Sequence, residues 1–312
     1  MRKVIFVGGT SFSGSTFFHM QLANHKAAFA CGEAVWLFHP SHQRHVNRLR
    51  FADQETRQIW REVVDQGRER TYLTIFEMFP EVQWIVDSSK HPFWQWEHAQ
   101  QLRAEGIDTR HILIWKTPEE FAASTKKRNR FSTWETDWID YHRLYFSCFA
   151  EWRGVSYRDL AQDPAKTLAA ACSTVGIPYH QGMEEYWTRG YHTLGGNVTA
   201  RYHLADPEKA QAMLNGTFDQ SRMEQYRRTQ YSPVTDPEII TAVEVARRSN
   251  SLLSEIEEFL KIRSIPDAQE IEVPNELRYS TPTLVARQMK RRVQESVGRL
   301  RYTSQIKEAL SA

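Results

Sequence analysis

Apolar and polar positions along the chain fall into blocks of two lengths. Short apolar runs at residues 4–7, 83–87, 110–115 and 155–157, rich in β-branched and aromatic side chains, read as four buried strands. Longer stretches between them carry helical spacing. The first starts at Ser15 or Thr16, either of which can cap it, runs to Asn24, and turns Phe17, Phe18 and Leu22 inward. Residues 25–32 read as a connection ending in Cys31-Gly32-Glu33, after which residues 34–38 are apolar again. Helices follow at 51–78, 93–104, 119–130 and 133–152. Asp163-Pro164 opens one more helix, with Asp163 as its cap, and Gly176 closes it. Strands alternating with helices predict an α/β fold: a three-layer sandwich with a central, mostly parallel sheet covered on both faces.

Beyond residue 182 the pattern changes. Gly195-Gly196-Asn197 marks a turn, and residues 207–214, 219–230 and 237–261 read as helices. Residues 265–282 form a polar linker, and 283–310 a terminal helix. The expected division is an α/β domain over 1–263, a linker over 264–282 and a basic amphipathic C-terminal helix over 283–312. Val285, Met289, Val293, Val297 and Leu300 form one stripe of that helix; Arg287, Lys290, Arg291, Arg292, Arg299, Arg301 and Lys307 form the other face. Such a helix can pack on its own domain, mediate oligomerisation, or make peripheral contact with an anionic membrane. Packing on protein is the expectation.

Composition narrows the classes. At 312 residues and 41% apolar content a sizeable core is available, and a formal charge of +2 gives no general attraction to nucleic acid or membrane. Cys31, Cys148 and Cys172 are too few and too scattered for a disulfide framework, and no CxxC metal spacing exists. The apolar run after Met1-Arg2-Lys3 stops at Gly8, too short for a signal peptide, and no segment reaches membrane-spanning length. A reducing, cytoplasmic setting is expected. His39, His42 and His45 sit in a polar, basic stretch that reads as solvated surface, so no metal site is assigned.

The candidate chemistry starts at the first strand. A loop of Gly, Ser and Thr follows it and a helix follows the loop, the layout in which backbone N–H groups and a helix N-terminus converge on phosphate. Gly9, Gly14 and Thr16 fit the spacing G-x-x-x-x-G-K-[ST], but the lysine position is Ser15. Transfer of a γ-phosphoryl group needs that lysine and a magnesium ion. A P-loop-type kinase, with Asp87 holding magnesium, is therefore the alternative and not the first reading. Polar groups also stand after the second strand (Ser88-Ser89-Lys90-His91) and the third (Lys116-Thr117), at the sheet edge where α/β proteins bind ligands.

These pieces resemble bacterial-type sulfotransferases that use 3′-phosphoadenosine 5′-phosphosulfate (PAPS). Ser13-Gly14-Ser15-Thr16 is similar to the family's 5′-phosphosulfate loop, and Lys116-Thr117-Pro118 with Ser124 to its 3′-phosphate motif. Tyr157-Arg158-Asp159-Leu160 resembles a segment whose tyrosine lies near the adenine. Asp87-Ser88-Ser89-Lys90, and Gly196-Asn197 with Arg201, are similar to stretches in bacterial members. The resemblance implies PAPS as donor, no metal, and donor contacts from Ser11, Phe12, Ser13, Gly14, Ser15, Thr16, Lys116, Ser124, Tyr157, Asn197 and Arg201. Many members carry a cation where Phe12 stands, and Lys90 is the candidate substitute. For the general base, Cys31-Gly32-Glu33 resembles the tyrosylprotein sulfotransferases, whose glutamate serves; His91 lies where other members place a histidine. Glu33 is preferred, which makes Glu33, Lys90 and His91 the candidate catalytic residues. The expected acceptor is a hydroxyl of a carbohydrate or small molecule, with tryptophans 36, 94, 96, 134, 138 and 187 as stacking candidates or core. A second alternative is a catalytically inactive nucleotide-binding scaffold.

Overall fold

The computed structural model describes residues 2–40, 52–196, 231–296 and 299–311. The strand β1 (Lys3–Gly8) is central because both of its faces are apolar. Val4 and Phe6 enter one core and Ile5 and Val7 another, on opposite sides of the sheet. Four more strands join it: β2 (Ala28–Gly32), β3 (Trp84–Asp87), β4 (Asp108–Trp115) and β5 (Arg153–Ser156). The order is β2-β3-β1-β4-β5, and every pairing is parallel. Ile5 pairs with Val86 on one side of β1, and Val7 with Ile112 on the other. The fold is thus α/β with an all-parallel sheet, as the alternation of apolar runs predicts.

Among the described residues the α-helices are α1 (Ser15–Leu22), α2 (Gln54–Gln66), α3 (Thr71–Met78), α4 (Pro92–Ala104), α5 (Pro118–Lys126), α6 (Trp134–Cys148), α7 (Tyr157–Gln162), α8 (Pro164–Val175), α9 (Pro237–Ser249), α10 (Ser251–Ile262), α11 (Thr281–Ser296) and α12 (Arg299–Ser311). The Asp163 cap and the Gly176 stop of α8 are as read from the sequence. Other expectations need correction. Residues 28–32 are an edge strand, not a connection: Ala28, Ala30 and Gly32 carry little strand signal, yet the segment's backbone pairs with β3. The expected helix 237–261 breaks at Asn250, whose side chain caps α10. Gly14, not Ser15 or Thr16, is the N-cap of α1. The regions 41–50, 207–214 and 219–230, together with Asn197 and Arg201, lie outside the described residues. Among the described residues no helix is long and apolar enough to cross a membrane.

The C-terminal helices pack on the domain, but α11 does so by the face opposite to the expected one. Val285, Met289 and Val293 are 42%, 63% and 62% exposed, while Arg291 and Glu295 are buried. Arg291 Nε donates to Glu295 at 2.5 Å, and Arg68 bonds both Glu97 and Glu295. Arg287 reaches Asp140 at 3.1 Å. Val297 and the side chains of Arg299, Leu300 and Arg301 are outside the described residues. Helix α12 lies on α2 and buries Tyr302, Ile306, Ala309 and Leu310 in the core that also holds Trp60.

Candidate active site

In a parallel sheet all strands end on one edge, and ligands bind there where the chain reverses its direction of winding. Here that point is the C-terminal end of β1, flanked by β3 and β4. Read across the edge, the strand ends deliver Glu33 after β2, Lys90 after β3, the 9–14 loop after β1, Lys116 after β4 and Tyr157 after β5. Four strand spacings of about 4.8 Å separate β2 from β5, so the row extends over roughly 19 Å.

The loop is tightly tied beneath. Ser13 N–H donates to the Thr10 carbonyl at 3.2 Å and Gly9 N–H to the Tyr141 hydroxyl at 2.6 Å. Gly14 has φ +96°, and a Cβ there would meet the Tyr157 ring at 2.6 Å. Glycine therefore lets the loop touch Tyr157. It also leaves the start of α1 with no side-chain cap, so the helix presents its N-terminal amides to an anion. The Thr10 and Ser13 hydroxyls are buried and have no hydrogen-bond partner among the described residues. Ser15 and Thr16 are buried, Phe12 is partly buried and Ser11 exposed. Buried hydroxyls in want of partners, beside an uncapped helix start, fit a phosphate-bearing donor.

Lys116 closes the β4 side of the edge. Its ammonium donates to Ser124 Oγ at 3.1 Å and lies 4.1 Å from the centre of the Tyr157 ring. Trp138 Nε1–H donates to the Lys116 carbonyl at 3.0 Å, and a capping box of Thr117 and Glu120 starts α5 immediately after it. Burial brings the Lys116 pKa down to about 8; Glu120 opposes this, and Arg128 and Lys127 add to it.

On the other side, Glu33 is buried and ion-paired to Lys90. Glu33 N–H donates to the Leu194 carbonyl at 2.7 Å. Lys90 has φ +54°, a left-handed backbone held by the turn before it. Asp87 shapes that turn: Oδ1 accepts from Ser89 N–H at 2.7 Å, and Oδ2 accepts from Ser89 Oγ at 2.9 Å and Tyr72 OH at 3.0 Å. Burial raises Asp87 to about 7, against those hydrogen bonds and with help from the charge of Glu33. His91 turns toward the C-terminal helices, its ring 5.5 Å from that of His39, whose Nε2 is 3.5 Å from Glu295. The two halves meet at Gly195-Gly196: a Cβ on Gly196 (φ +77°) would meet Thr16 Oγ1 at 2.6 Å.

The structure thus brings Glu33, Lys90, the 11–16 loop, Lys116, Ser124 and Tyr157 to one edge. Trp94 and Trp138 are fully buried core, which removes them as stacking surfaces, while Trp36 packs beside Gly195. Sequence reading passed over His19, Tyr141 and Thr193. His19 is buried within α1; its Nδ1 lies 3.0 Å from Ser88 Oγ and its Nε2 3.2 Å from Thr193 Oγ1, so it ties the loop helix to both flanking segments. Its only sequence signal is a histidine set between the apolar Phe18 and Met20.

No protein-family model matches the chain, and no curated protein matches it. Solved structures do. The sulfotransferase domain from the curacin biosynthetic pathway is 16% identical over 79% of this chain and 98% of its own, with a TM-score of 0.46. The sulfotransferase domain of the Synechococcus PCC 7002 olefin synthase is 16% identical over 78% of this chain and 94% of its own, with a TM-score of 0.43. A sulfotransferase from Alicyclobacillus acidocaldarius is 14% identical over 73% of this chain and 100% of its own, with a TM-score of 0.35.

Proposed function

We propose that the chain is a sulfotransferase that moves a sulfuryl group from PAPS to an acceptor hydroxyl of a carbohydrate or small molecule. One observation carries this reading: a phosphate loop with no lysine of its own stands between a carboxylate–ammonium pair on one side and a lysine–serine–tyrosine group on the other. In such a transfer the acceptor oxygen bonds to sulfur, the sulfur–phosphate oxygen bond breaks, and the electron pair leaves with the 5′-phosphate. The loop amides and the helix start hold that phosphate. Lys116 and Ser124 hold the 3′-phosphate, and Tyr157 lies beside the base. Glu33 takes the acceptor proton. Lys90 orients the Glu33 carboxylate and keeps a positive charge near the transferring group.

The kinase reading loses its magnesium ligand. Asp87 is fully buried, and both of its oxygens accept protein hydrogen bonds. Calorimetry with 3′-phosphoadenosine 5′-phosphate, and with ADP plus magnesium as control, tests the choice. Preference for the 3′-phosphorylated nucleotide without metal is the expected result; preference for ADP with magnesium would reverse the reading.

Lys116 adds a pH signature. A lysine titrating near 8 in the free protein binds phosphate in its charged form, and the bound dianion pulls the proton back on. Nucleotide affinity is therefore expected to stay level from about pH 7 to 8, then fall by up to roughly tenfold per unit above that. Lys116→Ala should weaken binding and remove the slope. A slope that survives in Lys116→Ala would assign it to another group.

A further inference from the structure

Three consecutive cations follow Thr125 at the end of α5, and they face different ways. Lys126 is held by Asp236 and Glu238, both at 2.6 Å. Lys127 is exposed. Arg128 turns back toward the loop, because Asn129 takes φ +55° and Arg130 N–H closes onto the Thr125 carbonyl at 3.0 Å. One Arg128 terminal nitrogen donates to the Ser124 carbonyl at 2.8 Å, and the guanidinium carbon lies 3.8 Å from the centre of the Phe12 ring.

Phe12 is an unexpected residue for its position. Its φ of +69° lies in the left-handed region, where glycine or asparagine is favoured and a bulky side chain is strained. A ring kept there needs something to do, and the ring is where Arg128 rests. We propose that Phe12 is a platform that holds Arg128 over the phosphate site, where its guanidinium serves as a donor-binding cation. The assignment rests on the sulfotransferase reading.

Charge balance supports it. The 3′-phosphate alone carries about −1.5 to −2 at pH 7, before the phosphosulfate is counted. Lys90 already faces Glu33, and Lys116 is a single charge weakened by burial. Arg128 bonds the carbonyl of Ser124, whose hydroxyl meets Lys116, so its charge adds to the same pocket. Arginine suits this place and lysine would not: the planar guanidinium can stack on a ring and still direct N–H groups from its edge.

The test is a double-mutant cycle read by calorimetry with 3′-phosphoadenosine 5′-phosphate. Arg128 is exposed, and Phe12→Gly relieves the backbone while removing the ring, so both variants are expected to fold. Arg128→Ala should weaken binding about tenfold and Phe12→Gly several-fold. The double variant should bind no more weakly than Arg128→Ala alone. Phe12→Trp, which keeps a face for the guanidinium, should bind within about twofold of wild type. Wild-type affinity in Arg128→Ala, or losses that multiply in the double variant, would overturn the pairing. Absence of binding by the wild-type protein would instead overturn the donor-site reading and this assignment together.

Discussion

Glu33→Gln is expected to lower turnover by about a hundredfold or more while leaving nucleotide affinity within about threefold of wild type. Glutamine keeps the shape and can still accept from the Lys90 ammonium, so the pair's geometry survives and only the basicity is lost. The half proposed to bind the nucleotide is built from other strand ends, with Lys116 and Tyr157 beyond β1 on the far side of the loop. Donor affinity should therefore not follow turnover down. It can rise slightly, because Lys90 no longer faces a negative charge. His91→Ala is the matched comparison. Its ring rests on His39, itself beside Glu295, so the expected loss of turnover is only several-fold. Single-turnover rates alongside calorimetry separate the two. Near wild-type turnover in Glu33→Gln, with a large loss in His91→Ala, would exchange the roles.

The loop and the strand ends could be read in advance because their signals are local. Gly14 and its hydroxyl neighbours announce a tight turn between strand and helix by composition, and the apolar runs of β1, β3, β4 and β5 stop where polar groups begin. The edge strand β2 could not be read that way. Ala28 and Ala30 carry no β-branched side chains, and the strand exists because β3 offers it hydrogen-bonding partners. The same limit explains α11. Its apolar stripe is the obvious inward face on periodicity alone. What decides the orientation is Arg68, Glu97 and Asp140, charges far away in sequence that require Arg287, Arg291 and Glu295. A partly desolvated carboxylate left without its arginine costs more than a few exposed aliphatic side chains. The pairing of Phe12 with Arg128 was hidden for a related reason, since a phenylalanine in place of a loop cation reads as a loss until its partner is seen.

The largest stability effect should come from the C-terminal helix α12. Ile306→Ala is expected to destabilise the fold by about 2–5 kcal/mol and lower Tm by roughly 5–15 °C. Ile306 is 1% exposed and shares its cluster with Trp60, Trp36 and Leu310, so shortening it leaves a cavity among large side chains that are themselves pinned. Tyr302 hydrogen-bonds the Trp36 carbonyl in the same layer, three residues after Glu33. Val293→Ala, one helix earlier, should change stability by less than about 0.5 kcal/mol, because that side chain faces solvent. Arg291→Ala lies between these mechanisms: it removes no core volume but strips a partner from both Glu97 and Glu295, which remain mostly buried. Thermal unfolding of the three variants separates the docked face from the open one. Equal, small losses for Ile306→Ala and Val293→Ala would mean that the terminal helix is not seated on α2. A loss confined to Ile306→Ala and Arg291→Ala would make the C-terminal helices part of the wall behind Trp36 and Glu33, and removing them would cost the fold before it touched the chemistry.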